Sequence, residues 1–218
     1  MIDGIRLKVC GLTSLVDAEF ADRVGADWLG FIFHETSPRH LPLAQFVAMA
    51  PRLPPRRKVA VAVNPSVDSL RRWLDAGFDA FQVHFPADTA EATLAGWSQV
   101  VGRERLWLAP KLPPGSAVTG AMLAAGKTML VDTYHAGGFG GSGQTGDWGG
   151  FARMQTEHPD HTWILAGGLN PENIGAALTA SGARFVDVNS GVERTPGVKD
   201  EAKLKAFVVA LHRARTGG

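Results

Sequence analysis

Eight short apolar runs recur along this chain at nearly constant spacing, each followed by an amphipathic stretch. The candidate strands end near Cys10, Phe33, Val63, His84, Ala109, Asp132, Ala166 and Val188. The steps between them are 23, 30, 21, 25, 23, 34 and 22 residues, about one strand-plus-helix unit each. Eight such units with short connections and no second composition regime predict an α/β protein, a single (β/α)8 TIM barrel over residues 1–218. The alternative is an open, doubly wound sheet, which usually has fewer strands and a topological reversal. A chain of 218 residues with 45% hydrophobic content can bury one substantial core without a second domain.

Three helix-to-strand junctions carry glycine, at Gly25, Gly77 and Gly182, where a helix C-terminus needs a residue that enters the left-handed region freely. Six tryptophans are expected to pack helices against the barrel.

The two long steps say where the chemistry should sit, because surplus length after a barrel strand goes into the loops of the active face. The first contains HETSPRHLP with Arg39. The second begins where a buried run closes on Asp132 and continues through Gly137, Gly138, Gly140, Gly141 and Gly143, glycines able to bring bare N–H groups close to an anion. Asp147 then reads as the N-cap of a helix starting at Trp148.

Strand parity selects the inward-facing residues. In the first strand Leu7 and Val9 face the helices, and Lys8 and Cys10 face the interior. A thiol beside an ammonium in a partly desolvated site is expected to have a lowered pKa, whereas a lone cysteine can also be a small buried hydrophobe. The same parity turns Asp187 and Asn189 inward on the eighth strand. If the sheet closes, the eighth strand neighbours the first, and Lys8 should pair with Asp187, since an unmatched buried charge is costly. Asp132 could supply a general acid or merely hold the following loop. His84 reads first as an interior histidine held by hydrogen bonds.

AGGLNPENI and NSGVERTPG follow the seventh and eighth strands, where such barrels commonly hold phosphate on backbone amides and a short helix N-terminus. They nominate Gly167, Gly168, Asn189, Ser190 and Gly191. Arg39 could clamp a carboxylate through its planar fork.

Composition narrows the partners. A net charge of +1 without a basic block gives little support to nucleic acid or an anionic membrane as partner, and one cysteine excludes an internal disulfide framework. The opening MIDGIRLKVCG lacks a leader pattern and no run is long enough to span a bilayer, so a soluble, cytoplasmic protein is expected, as monomer or homodimer.

Six segments resemble one family, phosphoribosylanthranilate isomerase: KVCGLT, GADWLGFIF with SPRHL, VAVNPS, LVDTY with GGSGQTGDW, LAGGLNPENI, and VDVNSGVE with PGVKD. They occur in the family's order along nearly the whole chain. The resemblance implies an Amadori rearrangement of N-(5-phosphoribosyl)anthranilate to 1-(2-carboxyphenylamino)-1-deoxyribulose 5-phosphate in tryptophan biosynthesis. It implies Cys10 as general base and Asp132 as general acid, and Arg39 on the anthranilate carboxylate. His84, Gly141, Ser142 and Gly143 would border the substrate, and the seventh and eighth loops would hold the 5′-phosphate. It calls for no metal and no other cofactor. The chain departs from the family pattern at Phe85-Pro86 after His84, and at Gln144, where lysine is common. A histidine-pathway isomerase would carry aspartate at the Cys10 position. A metal-dependent pentose-phosphate epimerase would need acids beside His34 and His84. A non-catalytic phosphate-binding barrel is the remaining alternative.

Overall fold

A computed structural model describes residues 1–113, 115–132 and 147–216. Strands and helices alternate in the predicted order: β1 (Arg6–Val9), α1 (Leu15–Arg23), β2 (Trp28–Ile32), α2 (Leu43–Met49), β3 (Arg57–Val63), α3 (Val67–Asp75), β4 (Ala80–Pro86) and α4 (Glu91–Val101). They continue with β5 (Leu106–Lys111), α5 (Gly120–Ala125), β6 (Thr128–Val131), α6 (Trp148–Glu157), β7 (Thr162–Leu165), α7 (Ile174–Ser181) and β8 (Phe185–Val188). The eight parallel strands close into a barrel, β1 pairing with β8 in a register that sets Lys8 opposite Asp187. A two-strand hairpin, β9 (Glu193–Thr195) and β10 (Val198–Lys199), follows the eighth strand, and α8 (Glu201–Thr216) completes the outer ring. No helix among the described residues is long and apolar enough to cross a membrane.

Local chemistry sets the helix ends. Ser14, Ser66 and Thr119 each accept the backbone N–H three residues on, at the starts of α1, α3 and α5. Asp147 does the same for α6, accepting from the Gly150 amide at 2.7 Å. Gly25, Gly77 and Gly182 all have positive φ, as their positions after α1, α3 and α7 require.

Side-chain alternation then divides the core into two layers. Leu7, Val9, Ala60, Phe81, Val83 and Val186 pack outward against the helices, where Phe31, Phe46 and Phe78 form an edge-and-stack cluster with centroids 4.1–6.2 Å apart. Each such fully buried aromatic contributes roughly 1.5–3 kcal/mol through burial. Cys10, Val59, Val61, Leu130 and Ile164 point inward and fill the barrel. Its N-terminal end is closed by Trp28, Trp107 and Phe185, with centroids 4.6 and 5.6 Å apart along the row. The Arg6 guanidinium lies 4.5 Å from the Phe185 ring centroid and Arg57 lies 5.1 Å from Trp28. Two tryptophans therefore sit inside the barrel, a correction to the expectation that all of them join helices to it. Strands β4 and β5 also run two residues further than expected, because their pairing continues to Pro86 and Lys111. Each proline lies at or next to its strand's end, where a missing N–H costs little.

Candidate active site

The C-terminal ends of the strands surround a cavity of about 520 Å³. Cys10, just past β1, and Asp132, just past β6, both line it, so the two nominated proton-transfer groups share one space large enough for a sugar phosphate. Arg39 and His84 line it as well, and the loops after β7 and β8 contribute Gly167, Gly168, Asn189 and Ser190. Gly191 is not among the lining residues. Gly141, Ser142 and Gly143, like Gln144, lie outside the described residues.

The predicted ion pair is present: Lys8 Nζ meets Asp187 Oδ2 at 2.7 Å, with the two side chains 0% and 7% exposed. Burial works against the Lys8 ammonium, but the Asp187 carboxylate and the Cys10 sulfur outweigh it and hold its pKa up. The expected lowering of the Cys10 thiol is not found. Complete burial pushes that thiol up, the pull of Lys8 opposes it, and Asp187 adds to the rise. The physical reason is first the burial itself, which penalises a thiolate, and second that Asp187 offsets part of the pull of Lys8.

His84 is neutral at ordinary pH: burial first, and then the neighbouring Lys8 and His34, take its pKa down to about 4. Its Nε2 lies 2.8 Å from the Gln82 amide nitrogen, and Gln82 Oε1 is buried without a partner among the described residues. Whichever way the Gln82 amide is turned, one of its polar groups is left for a ligand or a water. Asp187 Oδ1 is a second acceptor of this kind at the cavity wall.

Arg39 does grip a carboxylate through its fork, but one from this chain. Its Nε and Nη2 donate to Glu193 Oε1 and Oε2 at 2.8 and 2.6 Å, which leaves Nη1 without a bond among the described residues.

The loops after β7 and β8 approach each other until no side chain fits between them. A Cβ on Gly191 would lie 2.0 Å from the Leu169 carbonyl oxygen. Asn173 holds the seventh loop by accepting the Asn170 amide and donating to the Gly168 carbonyl, both at 2.9 Å. The backbone amides of Gly167, Gly168, Ser190 and Gly191 find no acceptor among the described residues, and Gly167, Gly168 and Ser190 line the cavity.

Three residues were not anticipated: Gln82, Glu193 and Lys199. Gln82 lies two residues before His84 on the same face of β4, where the parity used for the first and eighth strands would have found it. Glu193 and Lys199 belong to the hairpin, whose Pro196-Gly197 turn was the available signal.

The model of the family N-(5′-phosphoribosyl)anthranilate (PRA) isomerase matches residues 7–210. The N-(5′-phosphoribosyl)anthranilate isomerase of Neisseria gonorrhoeae is 35% identical over 212 residues, covering 96% of this chain and 97% of the relative. The crystal structure of TrpF from Jonesia denitrificans superposes with a TM-score of 0.78 at 31% identity, over 98% of this chain and 100% of that one. A phosphoribosyl anthranilate isomerase solved with reduced 1-(o-carboxyphenylamino)-1-deoxyribulose 5-phosphate gives a TM-score of 0.74 at 27% identity, over 98% and 100% of the two chains. By family model, sequence and fold alike, this chain belongs to the N-(5′-phosphoribosyl)anthranilate isomerase family.

Proposed function

We propose that the chain isomerises N-(5′-phosphoribosyl)anthranilate to the 1-deoxyribulose 5-phosphate, with Cys10 as general base and Asp132 as general acid. The observation that carries the reading is that both groups line the same 520 Å³ cavity, whose wall includes Gly167, Gly168 and Ser190, three residues whose backbone amides have no acceptor among the described residues. The 5′-phosphate sits on the amides of Gly167, Gly168, Ser190 and Gly191, beside Asn189, and the free Nη1 of Arg39 takes the anthranilate carboxylate. His84 borders the sugar.

Asp132 gives a proton to the furanose ring oxygen; the C1′–O bond breaks and a protonated Schiff base forms. Its positive charge draws the Cys10 thiol pKa back down in the complex. The Cys10 thiolate then removes the C2′ proton to give an enolamine. The Cys10 thiol gives its proton to C1′ and the Asp132 carboxylate takes the C2′ hydroxyl proton, which yields the ketone and restores both groups. No atom is gained or lost, and one carbon is oxidised as its neighbour is reduced.

A fluorescence assay of the disappearance of the anthranilate-bearing substrate tests this. Cys10→Ala and Asp132→Asn should each lower turnover by roughly 10²- to 10⁴-fold while near-UV circular dichroism stays unchanged. Turnover close to wild type in either variant removes that residue from its role. In the wild type kcat/KM should still be rising above neutral pH, as the raised Cys10 pKa requires.

A further inference from the structure

Two buried charges that the proposed chemistry does not use, Glu193 and Lys199, lie against Arg39 and Asn189 without lining the cavity. Glu193 Oε1 accepts from Lys199 Nζ at 2.9 Å, and the same carboxylate takes the Nε and Nη2 of Arg39. Lys199 Nζ also donates to the Asn189 backbone carbonyl at 3.2 Å and to Asn189 Oδ1 at 2.9 Å. Glu193 and Lys199 are 6% and 1% exposed, and neither lines the cavity, whereas Arg39 and Asn189 both do.

The packing around these side chains fixes their arrangement. Gly11, with φ +72°, occupies the point where Arg39 and Asn189 cross the end of β1: a Cβ there would lie 2.8 Å from Arg39 Cδ and 2.7 Å from Asn189 Oδ1. The hairpin turn sits directly on the Arg39 loop, with a Gly197 Cβ position 3.2 Å from the Pro38 carbonyl oxygen. Thr13 Oγ1 donates to the Gly197 carbonyl at 2.6 Å, and the Gly197 amide donates to Glu193 Oε1 at 3.3 Å. Two cations and one carboxylate leave one net positive charge, and that charge is delivered at the cavity wall by Arg39.

We infer that Glu193, backed by Lys199, is a positioning residue for substrate binding: it holds the Arg39 guanidinium so that Nη1 faces the cavity at a fixed distance from the Asn189 loop. The inference rests on the reading that Arg39 and the Asn189 loop grip the two anionic ends of the substrate. A bidentate carboxylate removes the rotational freedom of the arginine before the ligand arrives, so binding energy is not spent on ordering it. A single charge between two cations also cancels their mutual repulsion.

The test is a double-mutant cycle on KM and kcat with Glu193→Gln, Arg39→Ala and the pair. Arg39→Ala should raise KM at least tenfold. Glu193→Gln should raise KM by a comparable factor with a smaller change in kcat, and should add less than about threefold in the Arg39→Ala background, because it acts through Arg39. Competitive inhibition by anthranilate should weaken in Glu193→Gln more than inhibition by inorganic phosphate, a pattern that general loosening of the fold would not give. The neutral pair Glu193→Gln with Lys199→Met provides a second variant without a lone buried charge, and it should reproduce the KM rise. If Arg39→Ala raises KM but the Glu193→Gln effect multiplies fully on top of it, the inference fails and the site reading stands. If Arg39→Ala leaves KM unchanged, the assignment of Arg39 to the substrate fails, and the inference with it.

Discussion

Replacing Asp187 by asparagine should destabilise the barrel and, at the same time, lower the pKa of Cys10. Lys8 is wholly buried and its ammonium meets Asp187 at 2.7 Å, so the variant leaves a charge in the interior without its counter-ion. Breaking a buried pair costs about 3–5 kcal/mol, and the lower end applies because the asparagine oxygen still accepts from Nζ. At about 2–4 °C per kcal/mol for a chain of this size, the expected loss is about 6–12 °C in Tm. The electrostatic consequence has the opposite character. Asp187 is among the groups that hold the Cys10 thiol up, and Lys8 pulls it down. With the carboxylate gone, the pull of Lys8 on the sulfur is opposed by burial but no longer by Asp187. Cys10 is the sole cysteine, so thiolate absorbance near 240 nm, taken as the difference from a Cys10→Ala control that carries the overlapping signal of the single tyrosine, reports it and needs no reagent access. The thiol should titrate at lower pH in Asp187→Asn than in the wild type, and Lys8→Met with Asp187→Leu should recover most of the lost Tm. An unchanged or higher Cys10 titration in Asp187→Asn refutes the account of how the three groups share charge.

Gly191→Ala would set a methyl 2.0 Å from the Leu169 carbonyl, so the loops after β7 and β8 must part. Inhibition by inorganic phosphate should weaken at least tenfold, with a stability loss of about 1–3 kcal/mol seen in urea unfolding. His84 titrates near pH 4 in the folded chain and near its ordinary value of 6.5 when unfolded. Between those values the unfolded chain holds the extra proton, so stability falls as pH drops from 6.5 towards 4. His84→Gln should flatten that slope in the same unfolding series, and an unaltered slope would show that other groups produce it.

How much of this could be read from residues alone differs from element to element. The barrel was legible because each strand repeats one pattern at one spacing, and parity then turned Lys8 and Asp187 towards each other across strands 179 residues apart. The Cys10 pKa was misjudged because parity gives neighbours and not the depth of burial, which raises the thiol most, and because Asp187 offsets part of the pull of Lys8. The Arg39–Glu193 clamp escaped because the hairpin that carries Glu193 follows β8 and lies outside the repeat. Gln82 was in reach of the parity argument, and only its lack of charge kept it from being singled out. Convergence of the two phosphate-loop candidates was expected from their strand numbers, whereas the bare approach at Gly191 depends on a packing distance that no sequence pattern encodes.

The row of Trp28, Trp107 and Phe185, roofed by Arg6 and Arg57, stops up the lower end of the barrel. Molecular traffic is therefore one-way in geometry though two-way in time: a product made above this plug must back out through the same opening by which its precursor came in. Departure and arrival cannot overlap, and a slow exit would hold the door shut against the next guest.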